Sequence, residues 1–225
     1  MSETSAALPW YERRRPRSSV PKAWRPEVLA VPFYAPSCFT YSLLGLLVWS
    51  FRGELDVKLP SLVPWAWTAV ALLLQGPASY LADAHSLARD SWWHLVDAVM
   101  APVLTAFYAQ VMMFGLPHGT ALGSLQLAVA SLTFISGLWT FKMSRQARRG
   151  DDPNPLDYAF WHSCWHLTLP SGGAFTVITA VYVPCEPVVR PSVQAYLAAA
   201  ILLASLGLAW AAYNMASRRA RAKCE

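Results

Sequence analysis

A chain of 225 residues that is 55% hydrophobic and only 14% charged is too apolar for an ordinary soluble domain, so a membrane is its main solvent. The net charge of +5 comes from Lys and Arg gathered at a few places, which reports orientation and contact with anionic headgroups and argues against nucleic acid as a partner. Cys38, Cys164, Cys185 and Cys224 show no C-x-x-C spacing, which excludes a zinc ribbon and a disulfide framework.

Residues 1–30 are basic and rich in proline, a composition that cannot bury enough apolar surface to offset ordering, and read as a disordered cytosolic tail. Six apolar runs follow, at 33–51, 63–84, 93–114, 121–141, 158–183 and 192–216, each long enough for a helix crossing about 30 Å of hydrocarbon. The predicted fold is therefore an all-α, polytopic transmembrane helical bundle of about six spans over 31–216, closed by a second basic cytosolic tail at 217–225. Placing both termini in the cytosol leaves only Arg52, Lys58 and Arg190 of the eighteen Lys and Arg residues outside, as the positive-inside bias demands. Composition does not choose between an endomembrane and the plasma membrane, and it says nothing of oligomeric state.

Pro77, Pro102 and Pro170 fall inside predicted spans, where each removes a donor and frees the carbonyl four residues earlier. For Pro170 that carbonyl belongs to His166. Small residues four apart, as at Gly119 and Gly123, read as helix contacts.

Ionisable groups in a span are costly and usually face a protein interior or a water-filled cavity. Here Ser79, Asp83 and His85 end the second span, Asp97 opens the third, and His162 and His166 share one face of the fifth. The charge-derived topology brings all three stretches to one depth in the cytosolic leaflet. Two imidazoles on one helix face and a third ligand from the end of span two, His85 or Asp83, would hold zinc with a coordination position open. Asp97 is then placed to take a proton or hold a water, with Asp83 as its substitute, while Ser79 can orient Asp83 or donate to a developing oxyanion. His94 reads as a headgroup-layer residue, Cys164 as packing, and Asp151, Asp152 and Asp157 as loop solvation or a cap for the fifth helix.

This order of Ser79, His85, Asp97 and H-x-x-x-H at His162 and His166, over 76–173, resembles the CREST superfamily of membrane hydrolases. That superfamily includes alkaline ceramidases, progestin and adipoQ receptors and GPI-lipid remodelling proteins. The resemblance implies zinc held by His85, His162 and His166, water held by Asp97, Ser79 in an orienting role, and a membrane lipid as substrate. The expected function is thus zinc-dependent hydrolysis of an amide or ester bond of a membrane lipid, ceramidase-like. The alternative is a non-enzymatic multi-pass membrane protein, a receptor, channel subunit or scaffold, whose polar cluster only packs helices.

Overall fold

The computed structural model describes residues 20–117, 119–149 and 153–183, and every regular element among them is helical. A 3-10 turn at Lys22–Trp24 leads into α1 (Arg25–Ala30), followed by α2 (Tyr34–Ser37), α3 (Thr40–Ser50), α4 (Arg52–Lys58) and α5 (Trp65–Ser79). A π-helical turn, Tyr80–His85, extends α5. Then come α6 (Trp93–Gln110) with its own π-turn at Val111–Gly115, α7 (Ala121–Arg149) and α8 (Pro155–Tyr182).

Among the described residues, two helical stretches are long and apolar enough to cross a bilayer: Trp93–Gly115, of 23 residues, and Ala121–Arg149, of 29. The pair Lys22–Ala30 and Tyr34–Ser50, bent by 84°, makes a third if it counts as one span. The count of about six is therefore not reached, and the run at 192–216 lies outside the described residues. The fifth run illustrates the reason. Its helix α8 has 28 residues, long enough to cross, yet His162, Ser163, Cys164, His166 and Thr168 dilute its apolar character. It can carry them because α1, α2, α3, α4 and α7 all pack against it, so its environment is mostly protein. By contrast, α6 and α7 turn Val99, Val103, Leu132, Ile135 and Leu138 outward, a surface suited to lipid.

α8 begins where Asn154 accepts hydrogen bonds from the N–H groups of Leu156 and Asp157, with Pro155 in the first helical turn. The cap is thus Asn154, and Asp157 sits in the first turn beside the positive end of the helix. One face buries Ala159, Ser163, His166, Pro170, Gly173, Val177 and Ala180, a stripe of mostly small residues at three- and four-residue spacing. Neighbouring helices can approach that stripe closely. A Cβ on Gly172 would run into Thr133 of α7, and one on Gly173 into Leu44 of α3.

The carbonyls freed by the prolines inside α5 and α8 are both taken up by α3. Pro77 frees the carbonyl of Leu73, which accepts from Ser42 Oγ at 2.8 Å. Pro170 frees the carbonyl of His166, which accepts from Thr40 Oγ1 at 2.6 Å. Two hydroxyls, two residues apart, thereby pin α3 to α5 and to α8.

Residues 20–30, expected in the disordered tail, are instead ordered on the bundle. Val20 and Val28 bury against Tyr34, Leu87 and Tyr158, and Arg25 Nη1 donates to the Leu87 carbonyl at 2.6 Å. Apolar residues interspersed among the charges supply the burial that average composition hides. The Gly119 and Gly123 pair serves a turn rather than a helix contact: Gly119 has φ of 88°, and a Cβ on Gly123 would strike the Pro117 carbonyl.

Candidate metal centre

The π-turn at Tyr80–His85 decides which side chain ends α5 inside the bundle. Six residues are accommodated with wider turns than an α-helix allows, and π-turns of this kind recur at functional sites. Asp83 points inward, whereas His85 is exposed and lies apart from the other two histidines' cluster.

Asp83 meets α8 through one oxygen. Its Oδ2 lies 3.0 Å from His162 Nε2 and 3.5 Å from His166 Nε2. The two imidazoles stand edge to face with ring centroids 4.6 Å apart, as their i, i+4 spacing dictates. Each ring is held at its other nitrogen by a hydroxyl: Ser37 Oγ lies 3.3 Å from His166 Nδ1, and Ser144 Oγ lies 3.4 Å from His162 Nδ1. The Ser37 hydroxyl donates to the Tyr34 carbonyl at 2.7 Å and so accepts from His166 Nδ1–H, whereas the Ser144 hydroxyl can donate to or accept from His162 Nδ1. His162 is further flanked by Tyr34 and Tyr158, with centroids at 5.7 and 5.3 Å.

Cys38, at the end of α2, completes the group. It is fully buried, and Cys38, Asp83 and His166 each offer one ligand atom within 4.8 Å of the others. Its thiol makes a long hydrogen bond, 3.9 Å, to the Tyr34 carbonyl. This residue has no spacing motif to betray it; its partners lie 45 and 128 residues further along the chain.

A second polar group lies one turn back along α5. Ser79 Oγ donates to Asp97 Oδ1 at 2.5 Å, and Gln75 Nε2 donates to the same oxygen at 2.7 Å and to Ser79 Oγ at 2.8 Å. Asp97 also interacts electrostatically with Asp83, His162 and His166. Ser79 therefore serves Asp97, not Asp83, in this arrangement. His94 sits outside both groups, its Nε2 2.9 Å from the Arg89 carbonyl, and Cys164 is partly exposed on the flank of α8.

Cys38, Asp83 and His166 form a set that can hold a metal ion. The donor types suit such an ion, and the Ser37 hydroxyl behind His166 is the kind of contact that orients a metal-bound histidine. Beside the cluster lies a small apolar cavity of about 60 Å³, lined by Tyr41, Leu44, Leu72, Phe107, Leu169 and Val177 among others. Tyr41 links the two, since its ring lies 6.2 Å from that of His166.

No family model, no curated protein and no solved structure matches this chain.

Proposed function

We propose that this is a multi-pass membrane hydrolase, zinc-dependent, that cleaves an amide or ester bond of a membrane lipid. The observation that carries the reading is the junction of three features within a few turns of α8: the Cys38, Asp83, His162 and His166 donors, the hydrogen-bonded Asp97 carboxylate, and the apolar cavity. A lipid has a matching polarity, with a polar bond at one end of a hydrocarbon chain.

Zinc bound among these donors would polarise the scissile carbonyl and activate a water near neutral pH. The chain's own residues do the rest. Ser79 and Gln75 occupy Oδ1 of Asp97 and fix the carboxylate, leaving Oδ2 to hold a water or accept its proton. Leu169 and Pro170, one turn beyond His166, direct a hydrocarbon chain away from the polar group and into the cavity. This resembles the CREST pattern in its H-x-x-x-H, its Ser and its Asp, and departs from it where Asp83 stands inward in place of His85.

The topology belongs to the same proposal: both termini cytosolic, as the charge bias requires, the site in the cytosolic leaflet, and the basic stretches at 13–17 and 218–223 against anionic headgroups.

A second reading has its own support. His162 Nε2 at 3.0 Å from Asp83 Oδ2 is an ordinary hydrogen bond, and a mostly buried, satisfied carboxylate with two imidazoles would also clamp the π-turn after α5 to α8 in a scaffold with no chemistry. Purified protein tested on N-acyl and O-acyl lipids separates the two. Hydrolysis that is lost in Asp97→Asn while zinc is retained supports the enzyme. Zinc-free protein that hydrolyses neither lipid class supports the scaffold.

A further inference from the structure

We propose that the metal is held by Cys38, Asp83 and His166, and that His162 is not a ligand but the residue that positions Asp83. This rests on the metal-dependent reading above and assigns its ligands.

The distances separate the two histidines. A tetrahedral ion with bonds of about 2.0 to 2.3 Å holds neighbouring ligand atoms roughly 3.3 to 3.6 Å apart. Asp83 Oδ2 and His166 Nε2, at 3.5 Å, already stand at that separation. His162 Nε2, at 3.0 Å from the same oxygen, is closer than two ligands of one ion sit, and at hydrogen-bond distance. Its Nε2–H donates to Asp83, and its Nδ1 accepts from the Ser144 hydroxyl. In His166 the roles reverse: Nδ1–H donates to Ser37 Oγ, and the Nε2 lone pair faces inward. Orientation of a ligating carboxylate by an outer hydrogen bond is a common feature of metal sites.

Cys38 is brought to this point by its neighbours in the chain. Ser37 grips the ring of His166, and Thr40 grips its carbonyl, so the short segment between them is docked on that one residue at both ends. The sulfur faces a carboxylate and an imidazole, whereas a thiol that merely fills a core faces hydrocarbon. On metal binding the S–H bond breaks, the sulfur–metal bond forms, and the proton leaves to solvent. Three ligands of this kind leave one position for water, as hydrolysis needs.

The test is cobalt substitution of the detergent-purified full chain, read by its absorption spectrum, with X-ray absorption of the zinc form alongside. The expected result is a thiolate-to-cobalt charge-transfer band in the near ultraviolet and a sulfur scatterer at about 2.3 Å from zinc. The band disappears in Cys38→Ser, and His166→Ala binds neither ion. His162→Ala keeps the band but weakens metal affinity by roughly tenfold, and His162→Gln, whose amide can still donate to Asp83, restores it. Wild-type protein that binds metal with nitrogen and oxygen neighbours only overturns this ligand set and leaves the hydrolase reading standing. Loss of all metal in His162→Ala overturns it equally, because that histidine is then a ligand. Wild-type protein that binds neither zinc nor cobalt overturns the metal-dependent reading itself.

Discussion

The two halves of α8 make opposite use of the same helix. From Tyr158 to His166 the buried face meets Asp83, Ser37 and Ser144 by hydrogen bonds and Tyr34 and Tyr41 by ring contacts, beside a small apolar cluster at Tyr158 and Ala159. From Leu169 to Val177 the face opens on hydrocarbon walls. Pro170 marks the divide, and the carbonyl it frees is taken up by Thr40 rather than left unpaired. The polar half depends on a specific partner for each hydrogen-bonding group, while the apolar half needs only shape. A substitution in the first half should therefore break the site, and one in the second should retune it.

The largest effect is expected at Asp83. Asp83→Ala leaves the His162 Nε2–H without its acceptor and removes a ligand shared with His166, so zinc should be lost and unfolding made easier by about 1 to 3 kcal/mol, the range for stranding a mostly buried polar group. Metal analysis with thermal unfolding of the purified protein checks both. Next comes Thr40→Val, which keeps the shape of the side chain but strands the His166 carbonyl, at about 1 to 3 kcal/mol. A double variant with Pro170→Ala should recover part of that loss, since the restored N–H can reach the same carbonyl. Independent losses in the double variant would show that the proline and the hydroxyl are not coupled.

The apolar half should respond differently. Val177→Trp, which fills the cavity, is expected to leave zinc content unchanged while the KM for long-chain lipids rises more than that for short-chain ones. An equal effect on both chain lengths would remove the cavity from the substrate path. The smallest effect is expected at His85. His85→Ala, at an exposed position away from the cluster, should change zinc content and stability by less than about 0.5 kcal/mol equivalent.

That last pair of residues shows how far the sequence could be read. The i, i+4 spacing of His162 and His166 put both rings on one face, and Pro170 pointed to the freed carbonyl; both are local facts and both appear in the structure. Asp83 and His85 were alternatives, because an α-helical projection cannot foresee the π-turn that turns one inward and leaves the other exposed. Cys38, Ser37 and Ser144 left no trace in any spacing. They reach the site only through tertiary packing, across 18 to 129 residues. Among the described residues fewer spans appear than apolar runs, for a related reason: hydropathy counts every apolar run, whereas a helix packed by its neighbours, as α8 is, answers to protein contacts as much as to lipid.

The most direct test of the central claim is the zinc content of the detergent-purified chain, beside that of His166→Ala. The account expects about one zinc per wild-type chain, as for a single catalytic site, and none in the variant, with both proteins correctly inserted. Wild-type protein that is folded and free of zinc, or a variant that retains the full amount, would contradict it.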